Sequence, residues 1–432
     1  MTTVIRNQGT SLAVREKLAA DGKPVLLAFS CGKDSIAAWL AMRDMGIEVV
    51  PAYLYYVPGL RFVDEELDYF EQKFQTRIKR YPHPSLYRWL NNAVFQAPER
   101  LRYIEAARLP EPSYEQMWDF IRADIGLDKS TWCADGVRAA DSIQRRGAFV
   151  QYGYWRRNLK KVSPIGDWLK GEVLDCIGEH HIDLPCDYAW FGRSFDGIDK
   201  RFTKVLKDKA PDDYATLLEW FPCWRWIMSG DFKFNFSKKS KGKKTVKPVP
   251  ENLDENAKEY RERARAERKR FVDATDTEFW LCLCFPSPAE MARWRERFGF
   301  GENHRIYAYR DVEKLLAPYK PAKSSAVAFG AGVGFGGGLG FAEKTPDPLA
   351  DVKYSDDLEK DCLAEFAALH KALVEARSPR KLVEPTDSEH WFAIAFPLRD
   401  DKDSFLAEYG LRKLGDKYLD GMAVARKLGG EL

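Results

Sequence analysis

Six consecutive residues, Ser30-Cys31-Gly32-Lys33-Asp34-Ser35, put hydroxyls, a glycine, an ammonium and a carboxylate in one short run. That set suits a phosphate chain. Gly32 lets backbone approach a phosphate closely. Lys33 brings a formal charge, and Ser30 and Ser35 bring hydroxyl donors. Asp34 is a poor residue for a bare anion and a good one if magnesium accompanies the phosphates. Cys31, inside the run, is either a thiol near the phosphates or a small buried residue. The spacing Gly-x-x-x-x-Gly-Lys-Ser/Thr is absent, which excludes a Walker loop.

The flanking residues say what must hold this run. Val25 to Phe29 is apolar and has the length of a buried strand; Ile36, Trp39, Leu40 and Met42 recur at helical spacing. A strand entering a helix through a short loop is a natural anion site, because the first N–H groups of the helix are free and its dipole is positive there. Ile47 to Val57 reads as a second buried strand running into the turn Pro58-Gly59, and Arg77 to Tyr81 as a third. Further on come Gly136-Val137-Arg138-Ala139-Ala140-Asp141-Ser142-Ile143-Gln144-Arg145, then Pro164-Ile165-Gly166-Asp167-Trp168, a helical run from Leu169 to Ile177, and Leu184-Pro185 with Tyr188. Arg138 and Arg145 are seven apart, so a single helix would set both on one face, able to fork onto a polyanion.

These segments, in this order, resemble the PAPS reductase-like family of the N-type ATP pyrophosphatases. The six-residue run is similar to that family's Ser-x-Gly-Lys-Asp-Ser loop, and Gly136 to Arg145 to its Gly-x-Arg-x-x-Asp/Glu-Ser-x-x-Arg segment. The likeness covers residues 20 to 225, about half the chain. It implies an α/β fold of the adenine nucleotide alpha hydrolase type, with a mostly parallel sheet. It also implies ATP or a related adenine nucleotide as ligand, with Mg2+ and Asp34 as the metal-binding residue. Ser30, Cys31, Gly32, Lys33, Asp34, Ser35, Gly136, Arg138 and Ser142 would contact the nucleotide, with the adenine near Tyr53 and Tyr55. Lys33, Asp34, Arg138 and Arg145 would carry catalysis at the α-phosphate, with release of pyrophosphate. The chain departs from the reductases proper: it has no Glu-Cys-Gly-Leu-His segment, no adjacent cysteines and no Cys-x-x-Cys. A reductase with an unconventional thiol and a non-catalytic nucleotide-binding or phage accessory protein stay open as alternatives.

The chain has 432 residues, 45% of them apolar, and a net charge of +3, too small to imply nucleic-acid binding by itself. Eight irregularly spaced cysteines fit a reducing compartment, and neither a leader peptide nor a membrane span is legible, so a cytoplasmic protein is expected, in the host cytoplasm if phage-encoded. The first domain is expected over 1–237. A basic linker and charged helix (Glu255 to Arg270) should follow over 238–270, with six lysines between Lys238 and Lys247 that can make weak, sequence-blind nucleic-acid contacts. The second half carries an internal repeat. Thr275 to Pro286 matches Thr386 to Pro397 at an offset of 111, continuing to Tyr307 against Tyr418. The two α+β units, 271–318 and 385–432, flank a Gly-rich connector and helix over 319–384, in which Gly332 to Gly337 lacks a strand–turn–helix context. Units this small are marginal alone and are expected to pack on each other as a pseudo-symmetric pair. The second unit loosely resembles small bacteriophage domains of unknown role, and a protein partner for the pair is an expectation. Cys282 and Cys284 share a strand face and read as core; His180-His181 reads as a helix end.

Overall fold

The computed structural model describes residues 5, 8–198, 200–224, 280–301, 304–320, 345–377, 385–397 and 399–429. The expected lysine-rich run, the helix Glu255 to Arg270 and the Gly-rich segment around Gly332 to Gly337 lie outside them.

The first half is α/β. Its elements are α1 (Ser11–Asp21), β1 (Val25–Phe29), α2 (Lys33–Arg43), β2 (Val49–Tyr55), α3 (Arg61–Phe74), β3 (Lys79–Pro82), α4 (Pro84–Asn91), α5 (Leu101–Ala107), α6 (Tyr114–Ile125), β4 (Cys133–Ala134), α7 (Ile143–Tyr152), β5 (Trp155–Arg156), β6 (Lys161–Val162), α8 (Lys170–Glu179), α9 (Cys186–Phe191), α10 (Lys200–Lys209) and α11 (Pro211–Trp220). The strand order is β3-β2-β1-β4-β6-β5, parallel except for the edge strand β5. Val25 pairs with Val49 and Leu26 with Cys133, so β1 is central and apolar on both faces. The chain steps from β1 out to β3, then returns to the other side of β1 with β4. That reversal puts a crevice at the carboxyl ends of β1 and β4. Helix α3 buries Phe62, Val63, Leu67, Phe70 and Phe74. Phe70 meets Phe29 edge-on at 5.2 Å, and Phe74 stacks on Trp39 at 3.9 Å. The third strand begins at Lys79 rather than Arg77, because the Ile78 N–H is taken by the Glu71 carboxylate.

The second half contains β7 (Trp280–Phe285), α12 (Pro288–Phe298), β8 (Ile306–Ala308), α13 (Tyr309–Leu316), α14 (Leu358–Val374), β9 (His390–Ala395), α15 (Arg399–Glu408), β10 (Tyr418–Asp420) and α16 (Gly421–Lys427). Its sheet runs β10-β7-β9-β8. β7 and β9 are antiparallel, with Cys282 opposite Ala393, residues that occupy the same place in the sequence repeat. Each short strand pairs with the long strand of the other copy: β8 with β9, and β10 with β7. The expected match of Tyr307 with Tyr418 does not hold in this register. Tyr418 lies opposite Cys282 and Ile306 opposite Ala393, so Ile306 takes the place of Tyr418. One extra residue in the turn before β10, where Gly415 has a φ of +136°, moves the offset by one.

β7 explains its own composition. Leu281, Leu283 and Phe285 face a core private to the second half, while Trp280, Cys282 and Cys284 join the core of the first half. The two halves therefore share a core. Phe366 and Leu369 of α14 enter the first core, where Phe366 packs edge-on against Tyr55 and Trp220 and at a tilt against Tyr87. Glu359 accepts the Arg80 N–H and pairs with Arg77 and Lys79. The Tyr418 hydroxyl donates to the Gln96 carbonyl, and Trp391 Nε1 to Glu99. Among the described residues no helix is long and apolar enough to cross a membrane.

Candidate functional site

The run from Ser30 to Ser35 is the β1–α2 connection. Cys31 has φ +55°, a left-handed conformation that costs a non-glycine residue energy and tightens the turn. The turn drives the Cys31 side chain inward. Burial first, then nearby Glu66 and Asp187, push its thiol well above the usual value. Of the two readings of Cys31, the small buried residue is the one found. Ser35 is also spent inside the loop. Its hydroxyl donates to the Gly32 carbonyl at 2.8 Å and accepts the Ser30 N–H at 3.2 Å, and the two serine hydroxyls lie 3.2 Å apart. Ser35 therefore shapes the turn, while Ser30 is exposed and Gly32 is buried, where a Cβ would lie 3.1 Å from the Ser194 hydroxyl. Helix α2 has Gly32 at its N-cap and no side-chain cap, which leaves backbone donors for a ligand. Two of these donors are already used: the Lys33 N–H donates to the Tyr188 hydroxyl at 2.8 Å, and the Ser35 N–H to the Gly32 carbonyl at 2.9 Å.

The second motif is brought onto this loop by Gly136. A Cβ at that position would lie 2.6 Å from the Asp34 carbonyl carbon and 2.7 Å from the Ser35 nitrogen. The two backbones touch, and only glycine permits it. The following residue is fixed by Asp135, whose carboxylate accepts from Val137 N–H and the Ser163 hydroxyl. Arg138 and Arg145 do not share one helix. Ala139 to Asp141 form a 3-10 turn, Ser142 is extended, and its hydroxyl caps α7 by accepting the Arg145 N–H at 3.1 Å. Ser and Asp prefer such cap positions to a helix interior. Both arginines still converge, on Asp141: Arg138 Nη2 and Arg145 Nη1 each lie 2.7 Å from one of its oxygens. Arg138 Nε is 2.9 Å from Asp34 Oδ1, in ion-pair contact without hydrogen-bond geometry, and Lys33 Nζ is 2.6 Å from Asp34 Oδ2.

Tyr53 and Tyr55 are both buried. Tyr53 lies close to Cys31, Glu66 and Asp187, under the loop, and burial raises its hydroxyl well above the usual value. Tyr55 is covered by Phe366, and its hydroxyl is buried without a hydrogen-bond partner among the described residues. The structure thus joins Ser30, Lys33, Asp34, Gly136, Arg138 and Arg145 at one crevice, and buries Cys31, Gly32, Ser35, Tyr53 and Tyr55 beside it.

Three residues beside the loop were not singled out for chemistry from sequence. The Tyr188 hydroxyl caps the Lys33 N–H, and burial raises it to about 12. Glu66 and Asp187 form a buried carboxyl pair. Glu66 Oε1 accepts from Cys186 Sγ and the Asp187 N–H, each at 3.2 Å, and Asp187 Oδ2 accepts the Phe195 N–H at 2.7 Å. Burial raises Glu66 to about 7; burial and then the Glu66 charge raise Asp187 to about 8. The one sequence signal was a glutamate inside the apolar stripe Phe62, Val63, Leu67, Phe70 of α3.

Asp34 tests whether a metal fits. Its Oδ1 is buried without a hydrogen-bond partner among the described residues, at a helix N-terminus that favours anions. Among the described residues no group of three His, Cys, Asp or Glu side chains could hold a metal by itself. A magnesium ion bound through one carboxylate and phosphate oxygens fits this donor set, as magnesium usually binds with substrate. No protein-family model matches the chain, and no curated protein matches it.

Proposed function

We propose that the first half has a fold of the adenine nucleotide alpha hydrolase type, binds ATP or a related adenine nucleotide and acts at the α-phosphate, releasing pyrophosphate. One observation carries this reading: the glycine-dependent backbone contact of Gly136 with Asp34-Ser35, which puts two arginines and a lysine around the open N-terminus of α2 at the β1/β4 reversal. The free N–H groups of α2 and Lys33 would stabilise charge on the departing pyrophosphate. Arg138 and Arg145 would neutralise the reacting end or the acceptor. When bound, magnesium would offset charge on the phosphates, held by Asp34. The residues between Pro84 and Trp132, which lie between the two motifs in the chain, would shape an acceptor pocket.

The thiols support this reading over the reductase one. Cys31, Cys133 and Cys186 are all pushed up by burial, Cys133 to about 12, so none is a ready thiolate at neutral pH. The test is incubation of the full chain with ATP or PAPS, magnesium and a thiol reductant, following every product. AMP and pyrophosphate from ATP are expected. Sulfite from PAPS, lost in a Cys133→Ser, Cys186→Ser or Cys223→Ser variant, would promote the reductase reading; binding without product would leave a nucleotide-binding scaffold.

A further inference from the structure

Around the loop the side-chain charges alternate in sign: Lys33, Asp34, Arg138, Asp141, Arg145, with successive contacts of 2.6, 2.9, 2.7 and 2.7 Å. The two carboxylates in this chain are held very differently. Asp141 accepts three hydrogen bonds, from the Arg138 N–H at 3.0 Å, Arg138 Nη2 and Arg145 Nη1. It is fixed at the end of a 3-10 turn, and its side chain is 16% exposed. Asp34 is more open, 28% exposed. One of its oxygens takes Lys33, and the other faces Arg138 Nε with no hydrogen-bond geometry.

We propose that the two carboxylates divide the work: Asp141 is a positioning residue that fixes Arg138 and Arg145, and Asp34 is an exchangeable counter-ion that releases Lys33 and Arg138 to an entering metal-bound polyphosphate. This rests on the phosphate-binding reading above. A phosphate oxygen that reaches Lys33 and Arg138 competes with Asp34 for both. Without a divalent cation the carboxylate has nowhere better to go, and it repels the ligand. With one, it turns to the metal and the two cations are freed. Metal and polyphosphate therefore favour each other's binding, and by linkage each does so to the same degree. Asp141 has no such exchange open to it, since leaving would break three bonds at once.

The experiment is isothermal titration of the full chain with sodium pyrophosphate, with and without magnesium chloride. It compares wild type with Asp34→Asn, Asp141→Asn and Asp141→Glu, and thermal melts of each variant separate lost folding from lost binding. Wild type is expected to bind about tenfold more tightly with magnesium, the scale of one charge-assisted hydrogen bond. Asp34→Asn should bind about fivefold more tightly without magnesium and lose most of the magnesium effect. Asp141→Asn should bind about tenfold more weakly in both conditions, and Asp141→Glu should recover most of that loss. Removing a negative charge near an anion site would by itself tighten both asparagine variants. Tightening of both overturns the division, and an Asp34→Asn variant that keeps the wild-type magnesium effect overturns the exchange. Wild type that binds no pyrophosphate in either condition overturns the phosphate reading and the inference together.

Discussion

At the scale of the residue, Gly136 and Glu66 give the sharpest expectations. A methyl at Gly136 must move the Asp34-Ser35 backbone, since it would sit 2.6 Å from a carbonyl carbon. Gly136→Ala should therefore cost about 1–3 kcal/mol of stability, as overpacking does, and should weaken nucleotide binding with it. Lys33→Ala, at a partly exposed side chain outside the core, should weaken ATP binding by about 1.5–3 kcal/mol and leave the melt unchanged. Titration calorimetry beside thermal melts checks the pair, and unchanged affinity in Lys33→Ala would sink the phosphate reading. Glu66 makes a pH prediction. Its folded-state carboxyl is raised from its ordinary value to about 7, so the folded protein keeps a proton that the unfolded chain gives up. Stability from this group is present below the ordinary carboxylate range and is lost as pH rises toward 7. Glu66→Gln keeps the acceptor oxygen for Cys186 and Asp187 and removes the titration. The variant should gain on wild type by on the order of 1–2 kcal/mol between pH 5 and pH 8; a pH-independent difference would show that the pair does not hold its proton.

At the scale of the element, α14 is the piece whose role exceeds its position in the chain. Phe366 lies in the second half, yet its ring fills the space among Tyr55, Tyr87 and Trp220 of the first. Phe366→Ala should cost about 3–5 kcal/mol, the usual loss for a buried phenylalanine, and fluorescence from Trp220 should report it. A melt of wild-type shape and midpoint would mean that α14 only rests on the first core. Elements like this mark where the sequence stopped being readable. β1, the loop and α2 were legible because an apolar run, a glycine and a helical period are local signals. The start of β3 is not legible, because Glu71, seven residues before Ile78, takes the Ile78 N–H. Arg138 and Arg145 were placed on one helix by their spacing, but Asp141 and Ser142 end one turn and cap the next. The Glu66–Asp187 pair and the Tyr188 cap join residues more than a hundred positions apart, and no periodicity records such a meeting.

At the scale of the whole molecule, the two halves share apolar surface and ion pairs, and a cut between them should be felt by both. A fragment of residues 1–224 would leave Tyr55, Tyr87, Trp220 and the partners of Trp280 and Trp391 uncovered. Burying each large side chain is worth about 1.5–3 kcal/mol. The fragment should therefore melt several degrees below the intact chain, where few contacts across the lysine-rich stretch would have left it unchanged. Differential scanning calorimetry on both decides the point, and equal midpoints would restore the picture of two independent domains.

The strand exchange in the second sheet has a consequence for how this protein is made. β7 is the sequence Trp-Leu-Cys-Leu-Cys-Phe, buried on both faces and paired on both edges. Both of its neighbours, β9 and β10, are synthesised more than a hundred residues later. At ordinary elongation rates the nascent chain carries this bare apolar strand for roughly 5–25 s before a partner emerges from the ribosome. During that interval the already completed first half offers the nearest cover, through the surface that Trp280, Cys282 and Cys284 finally occupy. The order of the chain, sheet first and exchanged strands last, gives the growing polypeptide a template on which its most aggregation-prone segment can wait.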